Sequence, residues 1–444
     1  MNRPEFDSEF CNVQYIKEER IVLLTWKKFC FFDQYREPLF FALSLLKSFP
    51  KSSFAVDTRN GFEVVREDVE WNFHFLLPAL LNTSLKQIIL ISEAGELPDG
   101  ARNLWSEEFL KYFIVKRVGS YPEALRNNRY GIKRRGSKMA GGALLYELFM
   151  FVAAIIYTLI LTFSTLLTSE AVTDSTLTTD LITDKLTSSG IPYLMAIIPG
   201  IPLLFWYFHS LRLTPHIFQG HRRMTVKSFF MIFFIFMSAQ GVFTLVSGGL
   251  EFLFNLFGLS IMSAIEAASV DSTTVSMFLY ASFLAPITEE IVFRGFILRG
   301  LEKYGRTFAI VISAILFGAM HGNLIQGVFA AATGLVFGYV ALEYSIKWSI
   351  LLHIINNFVF GDLFVRLTSG FGELTQQIIW GCLELIFFIV GLIVVILKRR
   401  EIIGYLKQEK TTKGLYKASF TSAWMIVFLV LQFLLSLSGI TRLQ

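Results

Sequence analysis

The chain has 444 residues, 54% of them hydrophobic, with 46 phenylalanines and only 17% charged residues. That composition excludes an ordinary soluble enzyme and points to a polytopic membrane protein. The net charge of +5 is small, and Lys and Arg cluster in short loops, a pattern that informs topology and gives no case for nucleic acid.

Residues 1–130 read as a soluble α/β domain. The polar first twenty residues lack the apolar core of a signal peptide, so no cleaved leader is expected. The runs 21–26 (IVLLTW), 52–58 (SSFAVDT), 85–92 (LKQIILIS) and 114–120 (IVKRVGS) predict strands. Between them, 31–49, 66–81 and 105–113 predict helices, and YPEALRN predicts a last short one. Strands alternating with helices imply a substantially parallel sheet. The order of elements resembles small SpoIIAA-like (STAS-like) domains. No phosphate loop or catalytic constellation is visible there, so a regulatory or interaction role is expected.

A basic linker, 131–142, leads into the membrane region, 143–440. Apolar stretches recur near 143–168, 191–212, 227–248, 275–298, 308–322, 324–343, 348–365, 376–397 and 419–439. They predict eight or nine transmembrane helices. A span needs about 20 residues, so 308–322 and 348–365 are short and are expected to be tilted or shielded. Lys133, Arg134, Arg135 and Lys138 precede the first span, and Arg212, Arg222, Arg223 and Lys227 follow the second. Arg299, Lys303 and Arg306 follow the fourth, and Lys398, Arg399 and Arg400 the eighth. The alternate loops, including the Ser/Thr-rich 168–190, are poor in Lys and Arg. The positive-inside rule therefore places the N-terminal domain in the cytoplasm and 168–190 outside as a solvated loop. A plasma (cytoplasmic) membrane is the expected location. Cys11, Cys30 and Cys382 are scattered, without metal or disulfide spacing, and Cys382 reads as a small apolar filler.

Charges inside the fourth apolar stretch are the clearest anomaly. Its sequence LAPITEEIVFRGFIL (284–298) places Glu289, Glu290 and Arg294 at membrane depth. Each costs at least a few kcal/mol on insertion scales, and such residues are usually functional. Glu290 and Arg294 are four apart and share a helical face, so they can neutralise each other. Glu289 lies ten residues before Arg299, roughly 15 Å deeper on a straight helix, too far for a short carboxylate to reach the surface. Arg299, Lys303 and Arg306 are expected to reach it. FGAMHGN (317–323) puts His321 on an apolar helix, and HIINNF (353–358) puts His353 and Asn357 on one face. Carboxylates and imidazoles in a dry site suit general acid–base chemistry, and Asn or His N–H groups suit oxyanion stabilisation. The bland alternative is that histidines pack and asparagines serve as interhelical glue. Asn323 and Asn356 flank the motif residues as support or glue. Glu384 reads first as a carboxylate with a polar partner or at a shifted helix end, and only second as a further site. GLVFG (334–338) reads as a close helix contact.

E-E-x-x-x-R, F-x-x-x-H and H-x-x-x-N, in that order on membrane helices within 275–365, resemble the CPBP family. That family contains the Rce1-type CaaX prenyl endopeptidases and bacterial Abi-type proteins. The resemblance implies an intramembrane endopeptidase acting on membrane-associated protein or peptide substrates. Glu289 would be the base that activates water, helped by His321. His353 and Asn357 would stabilise the oxyanion, and Glu290 and Arg294 would be a supporting ion pair. No cofactor is expected. Zinc held by Glu289, His321 and His353 remains the alternative, although H-E-x-x-H is absent. Expected partners are the lipid bilayer, the substrate and a cytoplasmic regulator at the N-terminal domain. The rival reading is a non-catalytic membrane regulator or bacteriocin-immunity-type protein, in which the polar cluster only joins helices.

Overall fold

The computed structural model describes residues 5–60, 65–92, 107–167, 175–267, 272–409, 411 and 414–443. The chain divides into two compact units. The first comprises Met1–Ser137, Lys303–Gly305 and Thr411–Ser422, and the second the rest.

The first unit is built on a six-stranded sheet whose spatial order follows the chain. Strands β1 (Glu5–Asp7), β2 (Cys11–Ile16) and β3 (Ile21–Trp26) pair antiparallel. Strands β3, β4 (Ser53–Asp57), β5 (Gln87–Ile91) and β6 (Ile114–Val118) pair parallel. The expected α/β domain is therefore present, with an antiparallel edge added at its start. Every residue of β4 and β5 is buried, which explains why these strands read as unbroken apolar runs and not as alternation. One sheet face presents Val22, Leu24, Phe54, Val56, Ile88 and Leu90 to the helix Asp33–Ser48 and to residues 66–81. The other presents Leu23, Ala55, Ile89 and Ile91 to Ala124 of the helix Tyr121–Asn127. Part of the predicted helix 105–113 lies outside the described residues; Glu107–Tyr112 is helical.

The basic stretch 131–142, expected as a linker, is helical: one helix runs from Arg129 to Leu167. Several basic residues expected to be solvated are instead paired. Arg135, Lys303 and the Tyr304 hydroxyl all converge on the buried carboxylate of Glu19. Arg299 is buried, and its guanidinium donates to the Gln219 and Ala341 carbonyls and to Glu302. Arg306 and Arg222 both pair with the buried Glu343. Charge in these loops satisfies carbonyls and carboxylates at helix ends as well as marking orientation.

The second unit is helical and is an integral membrane domain. Among the described residues, seven helices are long and apolar enough to cross a membrane. Their outward residues are large and apolar, as at Phe151, Leu159 and Phe163 of the first and Ile386, Ile389 and Ile393 of the last. Two further apolar helices, Arg306–Ala319 and Ala423–Leu437, have 14 and 15 residues. Counting them gives the nine expected stretches. The stretch read as 348–365 is not short: its helix spans Ile346–Thr368, because polar residues at both ends prolong it beyond the apolar run. Arg306–Ala319 is short and is shielded by protein, with Phe308, Ile312, Ala314 and Leu316 fully enclosed. It lies against Leu324–Glu343 through small residues. A Cβ on Gly318 would fall 2.4 Å from the Gly327 carbonyl oxygen, and one on Gly338 3.2 Å from Ile310. The expected close contact at residues 334–338 is thus real. The Ser/Thr-rich segment contains a helix, Ser175–Ser188, where a loop was expected; residues 168–174 lie outside the described residues. Cys382 is exposed and fills no core gap.

Candidate active site

The helix Val275–Tyr304 is not uniformly α-helical. Ala285–Glu290 is α, flanked by π-helical turns at Tyr280–Leu284 and Ile291–Leu298. The helix that carries His353 changes in the same way: Ile346–Ile354 is α and Ile355–Leu363 is π. Both helices therefore widen at Arg294 and Asn357, directly after Glu289, Glu290 and His353, and π turns often occur at functional positions. Widening leaves carbonyls that a side chain can reach. Asn357 Nδ2 donates to the Ala281 carbonyl at 2.9 Å, joining one π turn to the other.

Glu290 and Arg294 form the expected ion pair, at 2.9 Å, with both side chains fully buried. The guanidinium lies over the Phe317 ring, 4.1 Å from its centroid, and 5.2 Å from that of Phe337. Its Nε and Nη2 have no hydrogen-bond partner among the described residues. Attraction to two ring faces partly replaces those bonds. Gly334 provides the room, since a Cβ there would lie 3.1 Å from Arg294 Nη2.

The same pair holds His353. Its Nδ1 is 3.2 Å from Glu290 Oε1, and its Nε2 is 3.8 Å from Glu289 Oε2. The imidazole stacks on Phe337, with centroids 5.0 Å apart, and receives the edge of Phe317. Glu289 keeps 14% of its side-chain surface, whereas Glu290 keeps none. The two adjacent carboxylates thus occupy different environments: one is locked in the protein, the other reachable.

His321 departs from the expected position. The helix ends at Ala319, and His321 lies in the following turn. Gly322 adopts φ +57, a left-handed conformation that ends helices, and Asn323 caps the next helix through the Ile325 and Gln326 amides. Phe317-x-x-x-His321 still brings ring and imidazole together, edge to face at 5.2 Å. His321 Nδ1 is 2.9 Å from the Phe317 carbonyl oxygen. A carbonyl can only accept, so Nδ1 carries the proton and Nε2 is left as a proton acceptor in the neutral ring.

A polar chain supports Asn357 and was only half visible in the sequence. Gln240 Nε2 donates to Asn356 Oδ1 at 2.8 Å, and Asn356 Nδ2 donates to Asn357 Oδ1 at 3.0 Å. One Asn357 N–H goes to Ala281 and the other has no acceptor among the described residues. Asn356 is therefore support for its neighbour, whereas Asn323 is a helix cap that also donates to Ala264. Three further polar contacts went unread. Asp362 accepts from Ser272 and Ser282. The Tyr146 hydroxyl meets Thr288 at 3.2 Å, one residue before Glu289. Glu147 accepts from Gln432 Nε2 at 2.6 Å. A single polar residue in an apolar helix carries no spacing signal, and only its unexplained polarity could have marked it. Glu384 has the polar partner expected of it, Thr244 Oγ1 at 3.0 and 3.1 Å from its two oxygens.

Among the described residues, no group of three His, Cys, Asp or Glu side chains is arranged to ligate a metal. His353 Nδ1 faces Glu290, and His321 Nδ1 faces a carbonyl, so each imidazole has one nitrogen committed elsewhere.

Residues 271–359 match the family described as type II CAAX prenyl endopeptidase Rce1-like. All the motif residues lie inside that range. A protein of Bacillus subtilis (strain 168) named "Putative membrane peptidase YdiL" is 31% identical over 129 residues, 28% of this chain. The chain spans about half the length of that relative, 50%. No solved structure matches the chain. The segment that carries these motifs is thus similar to the Rce1-like CAAX prenyl endopeptidases.

Proposed function

We propose that this protein is an intramembrane endopeptidase in which Glu289 activates the water that hydrolyses a peptide bond. The observation that carries the reading is the pair of adjacent glutamates with opposite surroundings. Glu290 is fully enclosed and bound to Arg294, while Glu289 is partly accessible and faces His353 Nε2 at 3.8 Å. Structural glue accounts for Glu290. It gives Glu289 no task, since no hydrogen bond from another protein group holds its carboxylate among the described residues.

In the proposed reaction, a water lies between Glu289 and the substrate carbonyl. Glu289 takes one of its protons as the water oxygen bonds to the carbonyl carbon. His321 Nε2, the free acceptor of that ring, assists this proton transfer. The carbonyl oxygen becomes an oxyanion. The remaining Asn357 N–H and a protonated His353 Nε2 donate to it, preorganised by Asn356 and by Glu290. The C–N bond then breaks, the proton passes from Glu289 to the leaving amine, and a carboxylic acid and an amine result. Glu290 and Arg294 act by positioning. No metal is assigned a step.

The substrate class is a membrane-associated protein or peptide, CaaX-like in type, reaching the site from the bilayer or the cytoplasmic side. In this reading the protein would lie in the plasma membrane with its N-terminal domain in the cytoplasm, where a regulator would engage it. Substrate trapping tests this reading. Cells carrying the Glu289→Gln protein should accumulate an uncut membrane protein that copurifies with it and that wild type releases as fragments. Absence of any protein that differs between the two strains would sink the peptidase reading.

A further inference from the structure

A cavity of about 200 Å³ lies in the first unit, with no part in the chemistry above. It is lined by Lys116, Arg126 and Arg129, by the carboxamide residues Gln87 and Asn127, and by Ile132. Its origin is local. Residues 114 and 116 of the edge strand β6 share a face, by the two-residue repeat of a strand, and Gln87 of β5 pairs with Ile114. The helix Tyr121–Asn127 covers that face and ends in Arg126 and Asn127, and Arg129 opens the next helix.

The lining is one-signed. Among the described residues it holds three cations and no carboxylate. None of the three side chains makes an ion pair or hydrogen bond among the described residues. Arg126 Nε is buried without a partner, which is costly for a charged donor. The nearest acid on that helix, Glu123, is turned away to the Gly119 amide at 2.9 Å. Gln87 and Asn127 are tied to each other, Gln87 Nε2 to the Asn127 carbonyl at 2.7 Å, and so fix the floor. The 39-residue helix that begins at Arg129 has no acidic residue in its first turn. Cations there oppose the positive end of the helix dipole, which favours negative charge. An anion in the cavity would resolve all of these features together.

Size and charge define the anion. Ligand sites for drug-sized molecules run to about 300–1,000 Å³, so this cavity accommodates a compact anionic group rather than a whole drug-sized ligand. A carboxylate would answer one of the three cations. A phosphate monoester brings about −1.5 to −2 charge and three acceptor oxygens, and guanidinium forks match such oxygens two at a time.

We propose that this cavity binds a phosphate monoester dianion, held by Lys116, Arg126 and Arg129. The phosphate comes from one of two sources, a small soluble phosphate or the headgroup of a phosphatidic-acid-like lipid. The test uses the full chain in phosphatidylcholine nanodiscs, wild type beside Arg126→Gln and Arg126→Gln/Arg129→Gln. One arm titrates inorganic phosphate by calorimetry; the other dopes the discs with phosphatidic acid and counts retained lipid by native mass spectrometry. Binding should weaken roughly tenfold in the single variant and a hundredfold in the double, at the scale of charge-assisted hydrogen bonds. It should also weaken as salt rises. Phosphate binding in the undoped discs assigns the soluble source; selective retention of phosphatidic acid without phosphate binding assigns the lipid. Equal binding by wild type and variants in both arms, or none by wild type in either, overturns the proposal. If the double variant does not elute as folded protein, Lys116→Gln, at an exposed strand position, serves in its place with the same expected loss.

Discussion

His353 Nδ1 and Arg294 Nη1 share one carboxylate oxygen: Glu290 Oε1 lies 3.2 Å from the first and 2.9 Å from the second. Two motifs that are about sixty residues apart in the sequence thus meet on a single buried atom. Glu290 organises the site and Glu289 is left to work in it.

Glu290→Gln should therefore act first on folding. It strands the Arg294 charge in a dry environment, and breaking such a pair costs about 3–5 kcal/mol. Thermal unfolding in detergent should show a large loss of stability. Glu290→Gln/Arg294→Met should recover most of it, because a buried pair replaced by apolar groups is often neutral, yet recover no activity. A Glu290→Gln protein as stable as wild type would show that Arg294 finds another partner.

Gly334→Ala should destabilise by about 1–3 kcal/mol, the usual cost of overpacking. The added Cβ would lie 3.1 Å from Arg294 Nη2 and 3.2 Å from the Ala314 Cα, which is backbone. Gly381→Ala is the control, since nothing lies within 4 Å of its Cβ; it should be neutral, or stabilising by up to about 1 kcal/mol from helix propensity. Equal melting temperatures for the two variants would contradict the close contact.

Much of this was legible in the sequence, for physical reasons that differ by region. β3, β4 and β5 could be read because strands buried on both faces are continuous apolar runs. β1 and β2 were missed: their apolar residues alternate with polar ones, as Cys11 and Val13 do with Asn12 and Gln14, and the segment looks polar on average. The motif residues declared themselves through their cost at membrane depth. The π turns did not, because i→i+5 bonding has no residue signature. Nor did Gln240, whose role comes only from meeting Asn356 across 116 positions. The turn at His321 was readable in principle, from Gly322 followed by Asn323.

The proposed orientation places Lys133 inside and Thr187 outside. Single cysteines at these positions, in a background without the exposed Cys382, should label oppositely with a membrane-impermeant maleimide on intact cells: Thr187→Cys readily, Lys133→Cys only after permeabilisation. The reverse pattern would move the first unit out of the cytoplasm.

If water activation needs only Glu289 and His321, exhaustive chelation should leave the cleavage rate of purified protein unchanged, and zinc should be substoichiometric by elemental analysis. Activity lost to chelator and restored specifically by zinc would recast Glu289, His321 and His353 as ligands.

The central claim is that Glu289 is the base. Its most direct test is the cleavage rate per folded molecule of Glu289→Gln, on the substrate isolated by trapping. The amide preserves shape and removes the proton acceptor. The rate should fall by about 10²–10⁴-fold, with substrate still bound and the melting temperature little changed. A folded Glu289→Gln protein that cleaves at the wild-type rate would contradict the account and leave the polar cluster as helix packing.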